Sequence, residues 1–90
     1  MDSRKQKEQS WIVYILELSD GSFYTGITTN LEQRVKKHLS GKGSKFVFSR
    51  KPFRVIYEEQ AENRSVASKR EYAIKQLSKK DKIELVKEKR

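Results

Sequence analysis

Hydrophobic patterning begins at Trp11, where Trp11-Ile12-Val13-Tyr14-Ile15-Leu16-Glu17-Leu18 forms a nearly unbroken run of β-branched, aliphatic and aromatic residues. Such a run suits a well-buried strand. Phe23 to Thr28 reads as a second, shorter strand, and Ser19-Asp20-Gly21 between them is turn chemistry. The two predict a β-hairpin whose loop length decides which side chains share a face. A two-residue loop at Asp20-Gly21 places Tyr14 and Tyr24 on opposite faces. A three-residue loop, with Gly21 left-handed, pairs Leu18 with Ser22, sets Leu16 against Tyr24 and Tyr14 against Gly26, and turns both phenols to one side. Gly26 opposite Tyr14 also leaves room above the strand for a ring or a backbone phosphate.

Helical periodicity takes over after Asn30, an N-cap with Gln33 at the third position of a capping box. The helix runs from Leu31 to about Leu39 and buries Leu31, Val35 and Leu39, while Arg34 and His38, four apart, lie together beside that stripe. Ser40-Gly41-Lys42-Gly43-Ser44 ends it, and Lys45 to Lys51 is a basic loop or a short helix near residue 46. Pro52 introduces a third strand, Phe53 to Glu58. Asn63 or Ser65 opens a longer helix reaching about Leu77, marked by Val66, Ala67, Ala73, Ile74 and Leu77. Ser78 with Asp81 caps a terminal helix with Ile83, Leu85 and Val86 inward. The expected fold is α/β (α+β): a small, three-stranded, largely antiparallel sheet flanked by helices, in the order β-β-α-β-α-α. Met1 to Gln9 is polar and aperiodic and reads as a flexible arm, leaving 10–88 as a single domain.

Composition narrows the chemistry. Ninety residues with 34% hydrophobic content build one domain with a small core. The chain has no cysteine and one histidine, so disulfides, thiolate sites and multi-histidine zinc sites are excluded. No apolar run approaches the roughly 20 residues of a membrane span, and the N-terminus lacks a signal-peptide core. A cytoplasmic monomer that does not engage membranes is the expectation. Lys and Arg number 21 against 12 Asp and Glu, a net charge of +9. That excess predicts affinity for polyanions, nucleic acid first, although lysine-rich solvated helices fit the charge equally well.

Five residues stand out: Tyr14, Tyr24, Arg34, His38 and Glu71. Glu71 falls between Ala67 and Ile74 on the stripe that should face inward, so it must be paired, metal-bound or at a cleft edge. A salt bridge to Arg34 or Lys75 satisfies that requirement as well as a metal does. A phenol is a poor base near neutral pH unless a neighbouring cation or a metal-bound water assists it. A guanidinium offers a fixed fork of donors to a charged phosphate, and an imidazole one turn away can shuttle protons or hold a phosphate oxygen.

The order of these residues resembles the GIY-YIG nuclease superfamily, in particular its small stand-alone bacterial branch, over roughly Ser10 to Val86. Ile12-Val13-Tyr14 occupies the GIY position and Tyr24-Thr25-Gly26 the YIG position, with Ile12 and Thr25 as departures that carry no chemistry. Arg34 in Leu31-Glu32-Gln33-Arg34 and Glu71 in Lys69-Arg70-Glu71-Tyr72 match that family's arginine and metal-binding glutamate. His38 before Gly41-Lys42-Gly43, and Ile74-Lys75-Gln76-Leu77, resemble the same branch. The resemblance implies an endonuclease-like domain hydrolysing phosphodiesters, with DNA expected before RNA. Tyr14 or Tyr24 would activate water, Arg34 would stabilise the transition state, His38 would assist, and Glu71 would hold one Mg²⁺ or Mn²⁺ with the substrate. The rivals are a non-catalytic nucleic-acid-binding module on the same scaffold and a small basic interaction protein. Gly41-Lys42-Gly43 lacks P-loop spacing and reads instead as a basic loop. Lys42, Lys45, Arg50, Lys51, Arg54 and Lys75 are the candidate phosphate contacts. Phe46 and Phe48 either stack on bases or enter the core.

Overall fold

The computed structural model describes residues 10–89; the flexible arm expected for Met1 to Gln9 lies outside them. The turn after β1 (Trp11–Glu17) sets the register for the whole site. Leu18 N–H donates to the Ser22 carbonyl at 2.9 Å, and Gly21 has φ 85°, where an L side chain is strained. This is the three-residue loop. In the resulting antiparallel pairing with β2 (Phe23–Thr28), Tyr14 lies opposite Gly26 and Leu16 opposite Tyr24. Both tyrosines therefore project from one face.

The third strand, β3 (Arg54–Ala61), pairs antiparallel with the other edge of β1, giving the order β2-β1-β3. It outruns the expected Phe53 to Glu58. Glu59, Gln60 and Ala61 pair with Val13, Ile12 and Trp11, because the start of β1 still offers an unpaired backbone edge. The register shifts between Ile15 and Leu16, whose partners are Tyr57 and Val55.

Among the described residues, four helices cover the two faces: α1 (Leu31–Ser40), α2 (Lys45–Phe48), α3 (Arg64–Lys75) and α4 (Lys79–Lys89). Asn30 caps α1 through Gln33 N–H at 3.0 Å, Asn63 caps α3 through Val66 N–H at 2.9 Å, and Ser78 receives Asp81 N–H at 3.1 Å. The sequence anticipated Asn30 and Ser78, and offered Asn63 as one of two starts for α3, the other being Ser65. On one face Val13, Ile15 and Tyr57 pack with Ala67, Ile74 and Val86 from α3 and α4. On the other, Tyr14, Leu16 and Leu18 pack with Val47 from α2, with Leu31 and Phe53 around them.

Several side chains expected inside are not. Leu39 is 50% exposed, and Val66, Ala73 and Ile83 also face solvent. On α1 the inward stripe is Leu31, Arg34, Val35 and His38 rather than Leu31, Val35 and Leu39, and His38 is only 1% exposed. The helix is rotated toward its polar functional groups because the sheet beneath offers a phenol to receive them. Ile83 instead borders an open cleft of ≈390 Å³ between α4 and the sheet, lined also by Glu17, Phe23 and Arg54.

Candidate active site

The site forms where β1 passes beneath α1. Tyr14 is fully buried there, and the closeness of Gly26 permits it: a Cβ on that glycine would stand 2.5 Å from the Tyr14 hydroxyl oxygen. The hydroxyl lies 3.1 Å from His38 Nε2. The Tyr24 ring centroid is 6.4 Å from that of Tyr14 and 5.5 Å from that of His38, the latter edge-on. Phe53, at the entry to β3, closes the cluster by packing edge-on against His38 at 6.1 Å. Three of the five expected residues thus meet side chain to side chain, two from the hairpin and one from α1.

Electrostatics places the other two. Burial pushes the Tyr14 phenol up to about 12, and Tyr24 adds to the effect. The positive charge of the Arg34 guanidinium opposes it, while the Glu71 carboxylate gives a smaller upward push. Arg34 acts on the phenol from α1, where it lies one turn before His38. Glu71 arrives from α3, in the other layer, and is felt at Tyr14 only as the smallest of these influences. Its carboxylate is 23% exposed and paired with Lys75 Nζ at 3.0 Å, one of the two ion pairs weighed for it. Glu71 is a rim residue, not a core one. Burial, and then the charge of Arg34, hold His38 below its ordinary value, so the ring is neutral at pH 7.

The donor set bears on metal binding. Among the described residues, no three His, Cys, Asp or Glu side chains cluster as a self-sufficient metal cage. A single accessible carboxylate at the rim fits Mg²⁺, which keeps several waters and takes remaining ligands from substrate phosphate.

The basic candidates are spread over the loop before α2, α2 and the segment after it, with Arg54 on β3 and Lys75 on α3. Phe46 and Phe48 are 43% and 41% exposed. Arg50 sits 3.8 Å over the Phe46 ring and Lys51 Nζ 4.1 Å over the Phe48 ring. Lys42 and Lys45 are exposed nearby in sequence. Arg50 is also tied down, by Asp20 at 3.0 Å and by the Phe46 carbonyl. Lys75 is committed to Glu71, and Arg54 pairs with Glu17 at 2.7 Å.

Sequence reasoning passed over Gly43, Ser44 and Phe53 as parts of the site. The glycine-rich stretch after α1 was the available signal, read only as a phosphate-facing loop. It also missed a network in the far layer, where Arg70 Nε donates to both Glu59 oxygens, at 3.1 and 2.9 Å, and the Tyr57 hydroxyl donates to the same carboxylate.

The chain is similar to known proteins. The family model of the GIY-YIG catalytic domain matches residues 10–84. A UPF0213 protein of Desulfotalea psychrophila is 52% identical over 79 residues, covering 87% of this chain and 72% of that protein. A UPF0213 protein of Staphylococcus aureus strain Mu3 is 44% identical over 79 residues, covering 88% and 96%. The solution NMR structure of a UPF0213 protein from Bacillus halodurans is 45% identical, with a TM-score of 0.57 over 87% of this chain and 83% of that one. With its paired hairpin tyrosines, Arg34 and Glu71 all falling inside the matched span, this chain belongs to the GIY-YIG catalytic domain family.

Proposed function

We propose that the domain is a metal-dependent endonuclease that hydrolyses nucleic-acid phosphodiesters, DNA in preference to RNA. The observation that carries this reading is the buried Tyr14–His38 pair under a glycine-cleared strand, with Tyr24 against the same imidazole and Arg34 acting on the phenol from α1. Tyr14 or Tyr24 orients the attacking water and takes its proton. Arg34 meets the charge that builds on the phosphate oxygens, and the same guanidinium favours the phenolate. Glu71 is the residue that would hold Mg²⁺ or Mn²⁺, whose chemistry is to neutralise the phosphate and leaving oxygen. To receive it, Glu71 must exchange Lys75 for the metal. The exposed Lys42, Lys45 and Lys51 and the half-buried Arg50 supply backbone contacts, and Phe46 and Phe48 offer ring faces to bases.

The deciding experiment is incubation with duplex, branched and single-stranded DNA and with RNA, with and without Mg²⁺ or Mn²⁺. Products that need the metal and vanish in Glu71→Ala support the enzyme. Retention on a gel with no products under any condition selects the second reading, a binding module, which the Glu71–Lys75 pair favours because it already satisfies the carboxylate. In either case affinity should fall with salt by roughly 0.9 log units per log unit for each neutralised duplex phosphate. Charge reversal of Lys42, Lys45 and Lys51 together should flatten that slope.

A further inference from the structure

His38 contributes two ring nitrogens, and the structure gives them different partners. Nδ1 receives the backbone N–H of Ser44 at 3.2 Å. An amide N–H is only a donor, so Nδ1 must present its lone pair, and in the neutral ring the proton is then on Nε2. Nε2 lies 3.1 Å from the Tyr14 hydroxyl oxygen. The loop that delivers the amide is shaped for the purpose. Gly41 reverses the chain with φ 86°, and its N–H bonds the His38 carbonyl at 3.3 Å. Lys42 and Gly43 N–H both bond the Lys37 carbonyl, at 3.0 and 3.1 Å. A Cβ on Gly43 would stand 2.6 Å from His38 Nδ1 and 3.2 Å from the His38 backbone nitrogen, so a side chain there would drive the imidazole off its amide.

We propose that the Gly41–Ser44 loop fixes the tautomer of His38, making Nε2 a standing hydrogen-bond donor to the Tyr14 oxygen, so that His38 positions and polarises the phenol and does not relay its proton. The catalytic half of this inference rests on the nuclease reading; the tautomer half does not. With Nε2 already protonated, His38 has no lone pair facing Tyr14. The phenol hydrogen is therefore turned away from the imidazole. When Tyr14 accepts a proton from water it does so as phenolate, whose own proton has left to solvent. Nothing is passed through His38. The groups facing the ring are consistent with a neutral donor: Tyr14 from β1, Tyr24 from β2 and Arg34 from α1 itself, with apolar Phe53 closing the remaining side. None of these would stabilise a doubly protonated imidazolium more than water does.

The test is a ¹⁵N-resolved NMR measurement of the His38 side chain in the intact domain at neutral pH, joined to cleavage assays of two substitutions. The expected spectrum shows Nε2 protonated and Nδ1 unprotonated in wild type, with that preference lost in Gly43→Ala. A wild-type ring protonated at Nδ1 overturns the proposal. For the cleavage arm, His38→Gln places an amide donor where Nε2 was, whereas His38→Asn can keep only the acceptor toward Ser44. Gln should stay within about tenfold of wild type, the scale of one hydrogen bond. Asn should lose more. Equal loss of roughly 10²–10⁴-fold in both marks a proton shuttle and overturns the positioning role, and activity kept by Asn alone would reduce His38 to a support for the loop. A wild type that cleaves nothing sinks the nuclease reading while the spectrum still decides the tautomer.

Discussion

The two faces of β1 are made by alternate residues of one strand, yet they are held together differently. Val13 and Ile15 meet Ala67, Ile74 and Val86 in a mainly apolar layer, with the Arg70–Glu59–Tyr57 network at its side and buried Thr25 opposite Ile15. Tyr14, one residue away, meets an imidazole and a second phenol under the charge of a guanidinium, in space that Gly26 and Gly43 keep open. The first face is held by area removed from water, about 1.5–3 kcal/mol for each large aliphatic side chain fully buried. The second has apolar packing of its own, through Leu16, Leu18 and Val47, and adds to it directed bonds that are costly to leave half-made. A single step along the chain thus passes from the mainly apolar layer to the layer that holds the proposed chemistry, and mutations should differ accordingly.

The sharpest test of that difference is Tyr14→Phe. The ring stays in place while the hydroxyl goes, so cleavage is expected to fall by roughly 10²–10⁴-fold. His38 Nε2–H loses its acceptor, which costs stability about 1–3 kcal/mol. Activity held within a few-fold would move the base to Tyr24. Across the sheet, Ile74→Ala should do the converse and destabilise by about 2–5 kcal/mol in urea melts, through lost burial and the cavity left behind. Cleavage per folded molecule should be unchanged. A drop in both would show that the faces are mechanically coupled.

A smaller effect comes from pH. His38 is depressed in the folded state, so below its ordinary value near 6.5 the unfolded chain takes up a proton that the folded chain refuses. The resulting stability is present above that pH and lost as the pH falls toward the folded value. Urea melts between neutral pH and pH 5 should show this loss in wild type and less of it in His38→Gln. A slope shared by both proteins would assign the acid sensitivity to other groups. The smallest change is expected for Glu71→Gln without metal, within about 0.5 kcal/mol, because the pair joins neighbouring turns of one helix and its lysine is half exposed. Added Mg²⁺ or Mn²⁺ should raise the melting midpoint of wild type and not of this variant. A large metal-free loss would make Glu71 structural.

What could be read from the sequence follows the same division. The hairpin register was legible because Ser19-Asp20-Gly21 admits few turn geometries and the choice fixes every side chain beyond it. The helix caps at Asn30 and Ser78 were legible, and that at Asn63 was narrowed to a choice with Ser65, because each is a local bond three residues long. The inward face of α1 was not. Hydrophobic periodicity counts Leu39 as core and His38 as its neighbour, whereas the partner that draws His38 inside lies 24 residues away on another element. The far end of β3 failed likewise: Glu59-Gln60-Ala61 has no strand signal of its own and is recruited by the open edge of β1. Gly43 and Ser44 were invisible as site residues because their contribution is a backbone amide and an absent Cβ, neither of which leaves a side-chain signature.

Arg50 carries a further consequence, one of conformational entropy. A free arginine or lysine side chain holds about 2 kcal/mol of rotamer entropy that it surrenders when it grips a phosphate. Arg50 has surrendered much of it already: Nε is held by Asp20, one terminal nitrogen by the Phe46 carbonyl and the Ser49 hydroxyl, and the guanidinium lies on the Phe46 ring. A guanidinium has five N–H donors, so some remain for an incoming anion. Exposed Lys42 and Lys45 meet that anion as mobile charges and must be ordered at the moment of binding. Equal in formal charge, the three are unequal as ligands: folding has immobilised Arg50 in advance, and its contact with a polyanion loses less freedom than theirs.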